Sequence, residues 1–156
     1  MDIVIRKANI EDLRAIQELN NKLFELEYNK FDSSLKVGWP FTEKGENYFK
    51  DIIENEIAFV AVSVAENNII GYLAGTVDTK NSCILKPISE LDNFYIEENY
   101  RGQGIGTKLV NEFKKYCLDK GIEEMKVTAS ALNVNAIDFY KKNGFKEFEV
   151  TLKTII

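Results

Sequence analysis

The chain of 156 residues is 45% hydrophobic and 29% charged. That composition fits one globular domain spanning residues 1–156, large enough to bury a core without disulfides, and it excludes disorder, collagen and coiled coil as organising principles. Twenty basic against 25 acidic side chains leave a net charge of −5, which disfavours nonspecific binding to a phosphate backbone. Histidine is absent, so there is no Ser-His-Asp triad, Cys-His pair or HExxH zinc site, and proton transfer falls to Asp, Glu, Lys, Tyr, Cys or water.

Residues 2–8 read as a first strand. Asn9 is a helix cap, with Glu11 and Asp12 favourable in the first turn. Leu13, Ile16, Leu19, Leu23 and Leu26 follow at helical spacing. Residues 29–42 are irregular, and Thr42 caps a second helix over 43–55 that buries Tyr48, Phe49, Ile52 and Ile53. The pattern then changes to period two. Residues 57–65 and 69–78 form a hairpin around Glu66-Asn67-Asn68, and 88–96 form a further strand. Ile105, Leu109, Phe113 and Tyr116 mark a helix ending near Gly121. A strand over 122–129, a helix over 134–142 stopped at Asn143-Gly144, and a last strand over 145–154 complete the order βααβββαβαβ. This is a mixed α/β sheet with helices available for both faces. The longest apolar run, Ile57–Val62, is far short of a membrane span. The N-terminus has neither the basic nor the apolar segment of a secretory leader. The two cysteines, Cys83 and Cys117, lack metal or redox spacing, which points to a reducing cytoplasm.

Three of the nine glycines fall within Gly102-Gln103-Gly104-Ile105-Gly106, between a strand and a helix. Glycine lets the backbone approach a ligand closely, and a helix start presents unpaired N–H groups and a partial positive charge. Together these can cradle a pyrophosphate; the alternative is an ordinary glycine-rich turn. A dinucleotide fingerprint would need Gly where Thr107 stands. A Walker A loop would need a Gly-Lys pair, which occurs only reversed, as Lys120-Gly121.

Arg101-Gly102-Gln103-Gly104-Ile105-Gly106 resembles the (Q/R)-x-x-G-x-(G/A) pyrophosphate loop of the GNAT superfamily, the acyl-CoA-dependent N-acyltransferases. The preceding Leu91–Ile96 and Glu97–Tyr100 resemble that family's fourth strand and its exit. Downstream, Asn133-Val134-Asn135-Ala136-Ile137-Asp138-Phe139-Tyr140-Lys141-Lys142-Asn143-Gly144-Phe145 resembles its N-x-x-A-x-x-(F/L)-Y-x-x-x-G-F segment. The detailed match covers residues 88–146; the β-α-α-β-β start agrees in order only.

The resemblance implies a GNAT-like α/β fold: a mixed, mostly antiparallel twisted sheet, fourth and fifth strands splayed, helices on both faces. It implies acetyl-CoA as cosubstrate. The pantetheine arm would pair with the fourth strand around Phe94 and Ile96. The pyrophosphate would lie on Arg101, Gly102, Gln103, Gly104, Ile105, Gly106 and Thr107. A bulge in the fourth strand would aim an N–H at the thioester oxygen. Asn133 matches the asparagine that hydrogen-bonds the CoA arm and is equally placed as a helix N-cap. Tyr140 matches the tyrosine that protonates the departing thiolate; as a bare residue it is also a plausible core aromatic.

An acceptor ammonium with pKa ~10.4 must lose a proton before it can attack. Asp92, on the fourth strand, is the leading carboxylate for that step, with Glu25, Glu27, Glu97 and Glu98 as rivals; the alternative for Asp92 is a solvated or capping role. Tyr28, Phe31, Trp39 and Phe41 are candidates for an aromatic acceptor wall, or for a satellite core under a long loop. Neither cysteine has a histidine partner, so no covalent acyl-enzyme is expected, and no metal. The expected activity is direct acetyl transfer from acetyl-CoA to a primary amine of a small molecule, peptide or protein, in the cytoplasm. Neither nucleic acid nor membrane is expected as a partner, and a homodimer is left open. The alternative is a noncatalytic CoA-binding regulatory or assembly module of the same fold.

Overall fold

The computed structural model describes residues 2–55, 58–78 and 85–156. Ile57 and Cys83 lie outside the described residues. Five strands, β1 (Ile3–Lys7), β2 (Ala58–Ala65), β3 (Asn68–Asp78), β4 (Ile88–Ile96) and β5 (Glu124–Val127), form one sheet in the order β1-β2-β3-β4-β5. The first three pairings are antiparallel and β4–β5 is parallel. The α-helices among the described residues are α1 (Leu13–Lys30), α2 (Glu43–Glu54), α3 (Ile105–Asp119) and α4 (Val134–Lys142).

Side-chain caps mark the starts of α2 and α4 and of the 3-10 turn that leads into α1. Asn9 and Asp12 form a reciprocal capping box on a short 3-10 turn before α1. The Thr42 hydroxyl accepts from Gly45 N at the start of α2. β2 is buried on both faces, which explains its unbroken apolar run. Its Phe59, Ala61 and Ala65 share a core with Ile105, Leu109, Val110 and Phe113 of α3, against which α4 also packs. Its Ala58, Val60 and Val62 face Ile16 and Leu19 of α1 and Phe49, Ile52 and Ile53 of α2. The sheet therefore has helices on both faces. Glu66 and Asn67, at φ +50° and +64°, make the two-residue turn between β2 and β3, the left-handed geometry that matches strand twist.

Two expectations fail. The last strand, 145–154, does not form: residues 145–156 are in neither helix nor strand and join no sheet. β5 is also shorter than the expected 122–129, with Val127 as its last residue. A strand needs a neighbour for its ladder, and beyond β5 the described residues supply none.

Candidate active site

β4 and β5 pair only from Ile88↔Glu124 to Leu91↔Val127. Past Leu91 the strands part, and the β5-facing main-chain groups of Asp92–Ile96 lose their ladder partners. The two strands thus open a V whose floor is β4. At its far end lies the glycine loop. Gly102 and Gly104 adopt φ +76° and +77°, a left-handed conformation that glycine alone takes without strain. The first hydrogen bond inside α3 runs from Lys108 N to Gly104 O, so the amides of Ile105, Gly106 and Thr107 have no acceptor within the helix. Gly106 serves a different need: a Cβ there would come within 2.9 Å of Phe94 Cζ and 3.0 Å of Phe139. Its absence lets α3 start directly against β4 and α4. These features fit a pyrophosphate at the helix start and an extended arm along β4.

Arg101 secures the loop. Its Nε donates to Ile96 O at 2.8 Å and its guanidinium lies 5.2 Å from the Tyr95 ring centroid. Ile105 is buried in the core, so only its main chain faces the loop. Gln103 and Thr107 are exposed, and Gln103 Nε2 donates to Asn99 O at 3.2 Å.

The opposite wall of the V is α4. Asn133 caps it, its Oδ1 accepting from Ala136 N at 3.2 Å, which leaves the side-chain NH2 for another partner. Phe139 stacks on Phe94 at 5.3 Å, and the Tyr140 ring lies 6.5 Å from Phe94. Burial pushes the Tyr140 phenol well above its ordinary pKa, and the Glu27 charge adds to the shift. The phenol therefore stays protonated throughout the neutral range, as a proton donor requires.

On the floor, Ala74 pairs with Asn93 but Gly75 pairs with Leu91. Asp92 is thus the extra residue of a bulge, at the end of the β5 pairing. It is exposed to solvent, yet it accepts from Thr76 Oγ1 at 2.9 Å, and its pKa is raised chiefly by desolvation. Beside it lies a polar cluster that sequence reasoning missed. Asn20, on α1, donates to Tyr72 Oη at 2.8 Å and to Asn93 Oδ1 at 3.2 Å, and Asn93 Nδ2 donates to Tyr48 Oη at 3.3 Å. Burial, then the Asp92 charge, pushes Tyr48 up to about 12. Asn20 Oδ1 is buried with no hydrogen-bond partner among the described residues. The available signal was a polar residue set into the apolar face of α1 between Leu19 and Leu23.

Two turns beyond Asn20 on α1 stands Glu27. Desolvation, then the nearby Asp32, raises its pKa. Its charge acts on both Tyr72 and Tyr140, which puts it by the V. The other carboxylates are engaged elsewhere or open to water: Glu97 pairs with Lys22, Glu25 accepts from Asn21, and Glu98 is exposed. Trp39 packs with Phe24, Tyr48 and Phe49 at 5.7–6.3 Å. Phe41 lies under Arg14, 4.6 Å from ring centroid to guanidinium. Tyr28 is exposed and Phe31 half-buried near the end of α1. Cys117 is buried with its thiol pKa raised, the opposite of an activated nucleophile. A shallow cleft between Lys86-Pro87 and Gly121–Glu124 lies at the other end of β4 and contains none of these groups. Among the described residues, no cluster of three or more Cys, Asp or Glu side chains forms a metal site.

The model of the acetyltransferase (GNAT) family matches residues 14–145. The chain belongs to the GNAT family. GNAT membership makes it an acyl-CoA N-acyltransferase, and acetyl transfer to an amine is its class of reaction. Among curated GNAT relatives, a thialysine N-epsilon-acetyltransferase from Mus musculus is 33% identical over 92% of this chain and 84% of its own length. The uncharacterized N-acetyltransferase MJ1207 of Methanocaldococcus jannaschii is 27% identical over 94% of this chain, which spans 62% of that protein. The fold is shared with a tetramutant of the BH1408 protein from Bacillus halodurans, at TM-score 0.86 and 18% identity over 98% of this chain and 99% of the other. It is also shared with AAC(6')-Iy in complex with the bisubstrate analog CoA-S-monomethyl-acetylneamine, at TM-score 0.78 and 19% identity over 100% and 99%. No helix among the described residues is long and apolar enough to cross a membrane.

Proposed function

We propose that this GNAT chain moves the acetyl group of acetyl-CoA directly to a primary amine, with Tyr140 as the acid and Asp92 as the leading carboxylate. The observation that carries this reading is the bulge. It sets Asp92 at the point where β4 leaves β5, two residues before Phe94, whose ring lies 6.5 Å from that of Tyr140. Acetyl-CoA, when bound, supplies the activated acyl group. The chain's own groups do the rest. Main-chain groups of β4 around Phe94 and Ile96 hold the arm, with the Asn133 NH2 on the other wall. The amides of the Gly102–Thr107 loop, those of Ile105, Gly106 and Thr107 at the helix start foremost, hold the pyrophosphate, and Arg101 fixes the loop that carries them.

Only ~0.1% of an amine with pKa ~10.4 is neutral near pH 7.4. Asp92, partly desolvated, is placed to take the ammonium proton, directly or through water. Glu27 offers a second carboxylate near Tyr140, suited to attracting the cation. Tyr140 donates its hydroxyl proton to the departing thiolate. A bound acceptor would enter between the 24–41 segment and β4, past Tyr28, Phe31 and the Trp39 cluster.

The acidic chain is read as cytoplasmic and as having neither nucleic acid nor membrane as a partner; a second copy of the chain is a further candidate. The reading of a CoA-holding module without activity is not favoured, because the Tyr140 ring lies beside Phe94 of β4 and its phenol carries a proton at neutral pH. The test is a panel of amines with acetyl-CoA, followed by product mass and thiol release. It includes thialysine, from the name of the mouse relative, and an aminoglycoside, since AAC(6')-Iy is an aminoglycoside N-acetyltransferase, together with polyamines and peptide N-termini. Acetylated product from at least one class is expected. Thiol release no faster than in buffer across the panel, with CoA still bound, would return the chain to the module reading.

A further inference from the structure

We infer that Asn93 is a positioning residue: clamped by Asn20 of α1 and Tyr48 of α2, it decides which residue of β4 is the bulged one, and so where the Asp92 carboxylate stands. The role of Asp92 in the reaction rests on the proposed acetyl transfer; the place of the bulge does not.

The apolar face of β4 requires a bulge. Leu91 and Ile96 are buried in the core under α3, and Phe94 packs against the same core. In an unbroken strand, side chains alternate, so residues 91 and 94 would point to opposite faces. One extra residue between them brings both to one face. Opposite them stand Gly75, where a Cβ would run into the Phe113 ring of α3, and Leu73 of the same core. These contacts leave two arrangements with equal apolar packing. Either Ala74 pairs with Asn93 and Asp92 is extra, or Ala74 pairs with Asp92 and Asn93 is extra.

The other face makes the choice. Ala74 and Tyr72 belong to the core under α1 and α2, so the residue paired with Ala74 points towards those helices. With Asn93 there, its Oδ1 accepts from Asn20 Nδ2 at 3.2 Å and its Nδ2 donates to Tyr48 Oη at 3.3 Å. Both partners are anchored. Asn20 is 1% exposed and also donates to Tyr72 Oη at 2.8 Å. Tyr48 packs edge-on against buried Phe49, with ring centroids 5.1 Å apart. An amide suits this place, because it accepts from one neighbour and donates to the other without bringing a charge under the helices. Asp92 is then left where β4 leaves β5, accepting from Thr76 Oγ1 at 2.9 Å. Without the Asn93 amide, only the Thr76 bond holds Asp92 there, against two donors, Asn20 and Tyr48, that its carboxylate can satisfy from the neighbouring position.

The first test uses the full chain without CoA or amine. Isotope-edited NMR of the unaltered protein is expected to show cross-strand contacts from Ala74 to Asn93 and from Gly75 to Leu91, and none from Ala74 to Asp92. In Asn93→Ala a contact from Ala74 to Asp92 should appear, while those from Leu73 to Phe94 and from Gly75 to Leu91 persist. Tyr48→Phe keeps the ring, removes one of the two clamps and should populate a smaller share of the same state. In the reaction, a carboxylate displaced by one residue costs far more than a small misplacement, so Asn93→Ala should lower kcat on the order of 10–100-fold. The KM for acetyl-CoA should change little, because Arg101 anchors the glycine loop separately. A residue that merely filled space would lower the melting temperature and leave the pairing alone. Pairing of Ala74 with residue 93 alone in both variants overturns the inference. If Asn93→Ala does not fold, the pairing in Tyr48→Phe decides by itself. Shifted pairing with an unchanged kcat sustains the clamp and removes Asp92 from the chemistry, so that it is the acetyl-transfer reading that fails.

Discussion

Tyr140 owes its proposed role to one atom, and removing that atom is the sharpest test. Tyr140→Phe keeps the stack on Phe94 and deletes the hydroxyl. A positioned acid is worth ~10²–10⁴-fold, so kcat should fall at least about 10-fold while calorimetric CoA affinity stays nearly constant. An unchanged kcat, measured where chemistry limits the rate, would leave Tyr140 a packing residue. The two carboxylates separate by the same logic. Both have pKa values raised chiefly by desolvation, so each becomes anionic at higher pH than a fully solvated carboxylate, and the acid limb of the rate profile should lie above the usual carboxylate range. Asp92→Asn should lower kcat by about 10-fold or more at neutral pH, with recovery as pH rises towards the amine pKa near ~10.4. Glu27→Gln, which removes an attracting charge, should raise the KM for a cationic amine and spare kcat. The opposite split would exchange their roles. Identical profiles for both variants and the parent would remove carboxylates from the chemistry.

The secondary-structure elements show why the glycines of the loop are not interchangeable. Gly106 is needed because two aromatic rings occupy the space of a side chain; Gly104 is needed because of its backbone torsion. Gly106→Val should overpack the α3–β4–α4 junction and cost about 1–3 kcal/mol in denaturant unfolding. Gly104→Ala meets no atom and should cost about 1–2 kcal/mol through strain alone. Comparable unfolding midpoints with unequal CoA affinities would mean the loop, not the packing, sets binding. The sequence announced these elements well. Asn9, Thr42 and Asn133 each cap the helix they precede, and the change after α2 from helical spacing to β-rich segments around the Glu66-Asn67 turn located β2 and β3. The last strand was a misreading with a physical cause. Phe148, Val150 and Leu152 carry the strand period, but a period says nothing of whether a neighbouring edge lies within reach. The site was legible where short spacing encodes it, in the loop and around Tyr140. The Asn20–Tyr72–Asn93–Tyr48 cluster was not, because Asn20 and Asn93 lie 73 positions apart and meet only once α1 crosses the sheet. The bulge at Asp92 likewise depends on a register between strands that the chain does not spell out locally.

The stability of the whole molecule carries an acid-side signature. Buried Asp12 takes two hydrogen bonds from Arg6, at 2.7 and 2.8 Å, and this holds its pKa below the ordinary value. A lowered folded pKa contributes stability that is fully present above the unfolded value of ~3.9 and lost as pH falls through the folded value. Arg6 is partly exposed, so the pair is worth about 1–2 kcal/mol. Asp12→Asn should remove that amount near neutral pH and flatten the fall in unfolding free energy below about pH 4. Asp92 and Glu27 act with the opposite sign, because their raised values weaken the fold slightly once they ionise. An unaltered acid limb in Asp12→Asn would show that the pair is electrostatically silent. The sheet order, in which each strand lies beside its neighbour in sequence, also has a meaning during synthesis. A nascent chain that has emerged as far as Glu97 already holds β1 to β4 and both helices of one face, and such local pairings form early. The other face, with Phe59, Ala61, Leu73 and Leu91, waits bare until α3 leaves the ribosome. At the ~5–20 residues per second of translation, that interval lasts on the order of a second or more. It is the period in which a chaperone has most to protect, and the segment that ends it is the same one that opens with the CoA loop.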